Sequence, residues 1–312
     1  MIEKRKIITD ILGHYRSLGD EHLYHCPYCN HHKKKMSINF KNGYFKCWVC
    51  DTRGKNIYRI VRKFGTYEQR QKWLELDGRL DLSEFDKLFA ALNNEETVQT
   101  IDLPEEFVSL CNKHLPRKSK RAFDYLYDRG LTKKDIFRWK VGYCDKGRYS
   151  GRIVIPSFNN SGSVNYFIAR SFVGHQRRYL NPLCDRDIIY NELYVDWDEP
   201  VTLVEGVFDA VVAGENSIPL LGSTLRENSK LFQAIVLNDV PVYLGLDPDA
   251  DSKTRHMIKS MLKYDIELHL INLGGCEDVG SITKQEFIDR RNDSQEIDHD
   301  EFFLLDELRR IM

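Results

Sequence analysis

Nowhere does the sequence reach the roughly 18 consecutive apolar residues that a membrane span requires, and no stretch resembles a signal peptide. These absences predict a soluble cytoplasmic protein without a membrane partner. The phosphate loop Gly-x-x-x-x-Gly-Lys-Ser/Thr is also missing, so the chain is not expected to carry a nucleotide-driven motor. Nor is there an excess of charge of either sign, with 46 Lys+Arg against 47 Asp+Glu, and bulk charge alone does not suggest a nucleic-acid partner. The distribution of charge does. Residues 1–60 hold 12 basic and 5 acidic side chains, a net of +7, whereas residues 275–312 hold 5 and 11, a net of −6. A basic front end of this kind accompanies a polyanionic partner, although a solvated face is the commoner cause of any single charged run. The length of 312 residues allows two or three domains, each with its own core.

Eight cysteines divide into a spaced group of four and four scattered ones, and in a cytoplasmic protein the spaced group points to metal rather than disulfides. Cys26-Pro27-Tyr28-Cys29 is followed by 17 residues and then Cys47-Trp48-Val49-Cys50. Two such knuckles direct four thiolates at one point and close a tetrahedral Zn²⁺ site. Between them, Lys35–Phe40 and Gly43–Lys46 alternate like two strands around an Asn42-Gly43 turn, which predicts a zinc ribbon. His25, His31 and His32 are substitute ligands by type, but since four cysteines already fill the shell they are expected at the surface. Lys33, Lys34, Lys35 and Lys46, interleaved with Tyr44, Phe45 and Trp48, combine cations for phosphates with aromatics for base stacking. One or two of those aromatics are expected in the core of so small a domain.

In front of the ribbon, residues 1–16 read as a basic amphipathic helix with Ile7, Ile8, Ile11, Leu12 and Tyr15 on one face. Behind it, residues 56–89 read as helical and residues 90–104 as a linker. The cluster Arg117-Lys118-Ser119-Lys120-Arg121 leads into a helix over 123–129 capped by Gly130, and Thr132 with Asp135 starts another. Residues 151–158 and 163–170 form a β-hairpin with Arg152 and Arg170 near its ends, followed by Arg177-Arg178-Tyr179-Leu180-Asn181. A lone arginine is by default a solvated surface residue. Three basic groups ahead of an acidic stretch weigh equally toward nucleotide or phosphate contacts.

That stretch runs from Val201 to Asp251 and reads β, α, β, α, β, with one more helix and strand beyond it. Its strands are apolar runs without alternation, the pattern of a parallel sheet covered on both faces. Ligands of such sheets collect beyond the carboxyl ends of the strands, where Glu205, Asp247 and Asp249 would stand. Taken singly, these residues read as a polar turn and a helix cap. Together with Asp209 they form a template for Mg²⁺ or Mn²⁺, and two such ions about 4 Å apart serve phosphodiester chemistry.

Val204-Glu205-Gly206-Val207-Phe208-Asp209, Leu221-Gly222-Ser223-Thr224 and Asp247-Pro248-Asp249 resemble the toprim motifs, the metal-binding fold of primases, topoisomerases and some nucleases. Tyr125-Leu126 with Arg129-Gly130-Leu131-Thr132, then Gly151–Pro156 and Arg178–Pro182, extend the likeness to the bacterial-type DNA primases, most closely the compact primases of tailed phages. The resemblance covers roughly residues 23–283. It implies a multidomain α/β protein: a zinc ribbon that binds template over 1–68, a helical segment and linker over 69–114, a mixed α+β subdomain over 115–200, a toprim subdomain over 201–284, and an acidic C-terminal helix or tail over 285–312. It further implies synthesis of short RNA primers from ribonucleoside triphosphates on single-stranded DNA, alongside a separate hexameric helicase. Glu205 would be the catalytic glutamate, Asp247 and Asp249 metal ligands, and Asp209 their support. Asp278 belongs to a later acidic motif whose second aspartate is replaced here by Gly280. Arg152, Arg170, Arg178, Tyr179 and Asn181 would bind nucleotide or template, one Zn²⁺ would sit on Cys26, Cys29, Cys47 and Cys50, and two or more Mg²⁺ or Mn²⁺ would serve catalysis. Two other classes compete: a toprim nuclease or topoisomerase-like strand cleaver, for which no domain delivering a tyrosine is evident, and a non-enzymatic recombination mediator, against which the arginine blocks argue.

Overall fold

The computed structural model of the chain describes residues 2–54, 56–77, 99–222, 225–247, 251–264, 266–276, 278–298 and 302. It divides into two compact units, Met1–Glu95 and Glu96–Met312.

The first unit is built on a five-stranded antiparallel sheet in chain order: β1 (Arg16–Leu18), β2 (Glu21–Tyr24), β3 (Met36–Asn39), β4 (Tyr44–Cys47) and β5 (Arg53–Gly54). β3 and β4 are the two strands expected between the knuckles, with Asn39 opposite Tyr44 and Gly43 supplying the positive φ of +72° in the turn. The helix expected over 1–16 is shorter. α1 (Ile2–Leu12) buries Ile7, Ile8 and Leu12 and ends where Gly13, at φ +79°, closes its N–H onto the Thr9 carbonyl at 2.9 Å. The released chain returns as β1, a strand the apolar pattern did not reveal because all three of its residues are exposed. The helical stretch after the ribbon is two helices, α2 (Tyr58–Phe64) and α3 (Tyr67–Asp77), separated by Gly65, whose backbone is extended. The rest of that expected helix, and most of the expected linker, lies outside the described residues.

The second unit joins two sheets through one continuous core. Its antiparallel sheet has the order β6 (Phe107–Ser109), β7 (Gly142–Cys144), β8 (Arg152–Phe158), β9 (Val164–Ser171) and is accompanied by α4 (Ser119–Asp128) and α5 (Lys133–Arg138). β8 and β9 are the predicted hairpin, its loop held by the Asn159 carboxamide oxygen, which accepts from the Ser161 and Ser163 amides at 3.1 and 2.9 Å. The expected linker reaches too far here. Gln99 donates to the Asn165 carbonyl at 2.9 Å and Ile101 N–H to Val164 O at 2.9 Å, and β6 pairs with β7, so the residues from Gln99 on belong to this unit.

The second sheet has the order β11 (Ser217–Pro219), β10 (Val201–Val204), β12 (Val242–Gly245), β13 (Leu268–Leu270), β14 (Gln295–Glu296); all pairs are parallel except the last. α6 (Val207–Ala213), α7 (Lys230–Asn238), α8 (Asp251–Lys263) and α9 (Lys284–Asn292) accompany it. All four residues of β10 are buried, which is why its sequence shows no alternation. The shared core runs from Leu110, Leu126 and Ile155 in the first layer to Val204, Phe208 and Phe287 in the second. Phe287 is the correction to the expected tail over 285–312: it is fully buried beside Gly245, and β14 then closes the edge of the sheet. Phe303–Leu305 and Leu308, expected on a terminal helix, lie outside the described residues. No helix among the described residues is long and apolar enough to cross a membrane.

α5 opens on a capping box: Asp135 N–H donates to Thr132 Oγ1 at 3.3 Å, and the Thr132 amide donates to Asp135 Oδ2 at 2.7 Å. Lys284, at the start of α9, donates to the same carboxylate. Burial works against the charge on Asp135, but Lys284 and Thr132 outweigh it and hold its pKa below the usual carboxylate range. A depressed folded-state pKa contributes stability above the ordinary value, and the contribution is lost as pH falls through it. Lys284→Ala is therefore expected to cost about 2 kcal/mol at neutral pH, between the values of exposed and fully buried pairs. Urea unfolding should show that cost shrinking as pH drops below about 4, where the unfolded chain begins to take up the proton, and vanishing below the depressed folded-state pKa, where Asp135 is neutral in both states.

Candidate active site and zinc centre

In the first unit the four knuckle cysteines bring their sulfurs within 4.8 Å of one another, and among the described residues they are the only group of three or more potential metal ligands. Cys26 and Cys50 sulfurs stand 3.8 Å apart, and Cys29 and Cys47 3.9 Å. The edge of a tetrahedron with Zn–S bonds of about 2.3 Å is about 3.8 Å, so the donor set and its spacing fit Zn²⁺. Burial pushes the Cys26 thiol up; at Cys50, against burial, hydrogen bonding to Thr52 brings the thiol down to about 7. Helix α2 packs onto the first knuckle, Phe64 edge-on to Tyr28 at 5.0 Å and Lys63 over the same ring at 5.6 Å. His25 and His32 are exposed, as expected. Of the three ribbon aromatics, Phe45 is core at 1% exposure, whereas Tyr44 and Trp48 are 36% and 66% exposed. Lys46 lies over the Trp48 ring at 4.9 Å and pairs with Asp51 at 3.0 Å, while Lys33 and Lys35 are exposed and Lys34 partly so.

In the second unit Val204 pairs with Gly245 across β10 and β12, so the two strands end level and Glu205 and Asp247 emerge at neighbouring carboxyl ends. Asp209 stands one turn into α6. Its carboxylate accepts from the Gly206 amide at 2.8 Å and from the Gly280 amide at 3.0 Å, so both oxygens are gripped by backbone. Burial, then the charges of Asp278 and Glu205, nonetheless raise its pKa to about 6. Asp209, Asp278 and Glu205 thus gather near the end of the parallel sheet, close enough for their charges to act on one another, and oxygen ligands of this kind suit hard divalent cations such as Mg²⁺ or Mn²⁺. Among the described residues, though, their oxygens do not converge into a ligand group as the cysteine sulfurs do. Gly280 is more than a missing aspartate. A Cβ there would lie 2.9 Å from Asp209 Oδ1, so the position serves as an amide donor that a side chain would displace. Asp249, Glu277, Ser223 and Thr224 lie outside the described residues.

The arginines separate into two kinds. Arg152 is 5% exposed and donates to the carbonyls of Arg177 at 2.8 Å, Arg178 at 3.1 Å and Ala169 at 3.4 Å. This corrects its expected role: a guanidinium turned onto three backbone carbonyls holds the 177–178 segment against the hairpin and does not face a ligand. Asn181 acts likewise, accepting from the Ala169 amide at 3.2 Å. Arg170 is different. Its Nε donates to the Tyr125 hydroxyl at 2.8 Å and its NH1 to the Tyr179 hydroxyl at 2.5 Å, and its guanidinium lies 5.0 Å from the centre of the Phe208 ring. Arg129 shares that hydroxyl, donating to Tyr125 at 3.0 Å, and lies 5.1 Å from Phe208. Among the described residues, neither guanidinium forms an ion pair with a carboxylate. Two uncompensated cations therefore flank Phe208, one residue from Asp209. Arg178 is exposed beside them. The sequence reading missed Arg129 and Tyr125 as site residues, although their four-residue spacing on one helix was visible.

Cys26→Ser should release zinc, read by a colorimetric chelator, with loss of amide dispersion confined to residues 1–77 in a heteronuclear NMR spectrum. Collapse of the second unit's signals as well would show that the two units fold as one. For Asp209, the raised pKa means that the folded state holds its proton longer than the unfolded chain, so its contribution to stability is complete below about 4 and is lost as pH rises through about 6. The ¹³C-carboxyl resonance of Asp209 in cation-free protein should titrate with a midpoint near 6, and a midpoint near 4 would contradict the burial argument.

No protein-family model matches the chain. In sequence it is similar to the DNA primase of Thermotoga maritima, 22% identical over 335 residues, covering 91% of this chain and 58% of the relative. The DNA primase of Geobacillus stearothermophilus is 22% identical over 282 residues, covering 74% and 47%. The chain thus spans about half the length of the curated relatives it matches. In fold it is similar to a DnaG primase catalytic domain solved with single-stranded DNA, at a TM-score of 0.52 and 18% identity over 74% of this chain and 85% of the other. The E. coli primase catalytic core matches at 0.50 and 20% identity, over 62% and 79%. By sequence and by fold, the chain is a homologue of the bacterial DNA primases.

Proposed function

We propose that the protein is a DNA primase that joins ribonucleoside triphosphates into short RNA primers on single-stranded DNA, and within that class one of the compact primases of tailed phages, acting in the cytoplasm of a bacterial host. The observation that carries this reading is the pairing of opposites around Phe208: carboxylates at level strand ends on one side, and on the other two arginines that form no ion pair with a carboxylate among the described residues. Arg129 and Arg170, held rigid by the Tyr125 and Tyr179 hydroxyls, bind the triphosphate, with Arg178 at the rim. Glu205 accepts the proton of the attacking 3′-hydroxyl, whose oxygen bonds to the α-phosphorus as the bond to pyrophosphate breaks. Asp209 supports the acidic cluster, and Glu205, Asp247 and Asp249, with Asp278 nearby, would hold two or more Mg²⁺ or Mn²⁺. Divalent cations bound there supply Lewis-acid activation and neutralise charge on the phosphates. The ribbon, through Lys33, Lys34, Lys35, Lys46 and Trp48, contacts the template strand, and a separate hexameric helicase supplies unwinding.

Glu205→Gln and Asp247→Asn test the assignment. With Mg²⁺, four ribonucleotides, varied single-stranded templates and a helicase partner, the unaltered chain should make oligoribonucleotides, and each variant should lose at least about 100-fold in rate while binding single-stranded DNA unchanged. Full synthesis by either variant removes the site assignment, and DNA nicking without ribonucleotides replaces polymerisation with strand cleavage.

A further inference from the structure

Two helices of the second unit begin in the same way, and both beginnings reach the same segment. α5 and α6 each carry an aspartate three residues after the capping position, Asp135 behind Thr132 and Asp209 behind Gly206, and each accepts from the amide of its own cap through Oδ2, at 2.7 and 2.8 Å. A capping box occupies only one carboxylate oxygen. In both helices the other, Oδ1, is taken up by the short stretch between Gly280 and Lys284: the Gly280 amide donates to Asp209 at 3.0 Å, and the Lys284 ammonium donates to Asp135. That stretch is therefore strung between two helix starts that lie 71 and 149 residues back in the chain. Gly280 sits in a single turn, Val279–Ser281, directly after Asp278, and Lys284 opens α9 behind its cap, Thr283. Val279 and Phe287 are fully buried and press the stretch onto the core. Apolar burial has no direction, so it fixes depth better than position along the core; a charged hydrogen bond to a fixed oxygen sets position. Asp135 is such a fixed point, because the Thr132 hydroxyl also donates to its Oδ2, at 2.6 Å, and the residue is 7% exposed.

We propose that Lys284 is a positioning residue for the acidic turn: its pair with Asp135 sets where Gly280, and with it Asp278, stands against Asp209. Among the described residues, Lys284 pairs with no carboxylate but Asp135, so it acts on the site through the four residues that join it to Gly280 and not by contact. The two ends of the tether do different work. At Asp135 a side-chain cation meets a rigid carboxylate, and at Asp209 a backbone amide meets a carboxylate of the site, so a displacement at the first is carried to the second along a turn too short to absorb it. The proposal rests on the reading of the carboxylate cluster as the centre of a polymerase, and it adds the anchor that holds one edge of that cluster.

The test compares the unaltered full chain with Lys284→Met, which keeps an unbranched stem without the charge, Lys284→Arg, which restores a cation, and Arg138→Gln, which breaks the pair with the exposed Glu215 at the far end of α5. Hydrogen exchange of the Gly280 amide, followed by NMR in cation-free protein, should quicken roughly tenfold in Lys284→Met while the amides of β12 keep their rates, and Lys284→Arg should restore the protection. In primer synthesis Lys284→Met should lower kcat about tenfold and leave the KM for ribonucleotide unchanged, since Arg129 and Arg170 stand on other elements. An unchanged Gly280 amide, an equal quickening throughout the second unit, the same change in Arg138→Gln, or no recovery in Lys284→Arg overturns the proposal. If the unaltered chain makes no primers while the Gly280 amide responds as expected, the polymerase reading falls and the tether stands; an amide that does not respond overturns the tether whatever the synthesis.

Discussion

Two strands that run parallel and stop at the same level constrain everything else in the second unit. The register that sets Val204 against Gly245 decides where Glu205 and Asp247 stand before any of their own interactions are considered. Burial on both faces fixes that register, because a slip of one residue would turn the apolar side chains of β10 out of the packing on one side. Gly245 is part of the same constraint: the buried Phe287 ring packs directly beside it and brings α9 onto the sheet. α9 in turn delivers Lys284 to Asp135 and so ties the parallel sheet to the layer that carries the arginines.

Charge in this unit is sorted rather than mixed. Carboxylates collect at the strand ends and guanidinium groups on α4 and β9, with the Phe208 ring between them. If Arg129 or Arg170 reached the carboxylates, each set would neutralise the other and neither would hold a ligand. The tyrosines prevent this. Hydroxyls of Tyr125 and Tyr179 satisfy donors on the arginines without cancelling their charge, so the cations stay in place and stay charged. Arg152 shows the opposite use of the same side chain, because three carbonyls absorb its donors and leave nothing for a ligand.

What could be read from the sequence was what depends on period and spacing. The two knuckles, the hairpin between Arg152 and Arg170, and the βαβ order from Val201 onward all follow from local patterns. The exposed strand β1 carries no apolar signal, and the helix expected to run through it is stopped by a single glycine whose φ the sequence does not display. The identity of Arg152 as a support, and of Gly280 as a donor, depends on which atoms meet across 71 residues in one case and 25 or 26 in the other. Composition cannot carry that information. Phe287 is the same kind of miss: in a segment dominated by charge, one aromatic side chain decides that the segment belongs to the core.

The grip of Gly280 on Asp209 also makes the two positions depend on one another. With the Asp209 oxygen 2.9 Å from where a Cβ would begin, and held there by the Gly206 and Gly280 amides, a side chain at 280 has no room until Asp209 moves. A side chain placed at 280 would push Asp209 off the two amides that hold it, so a change at one of these positions, 71 residues apart, is felt at the other.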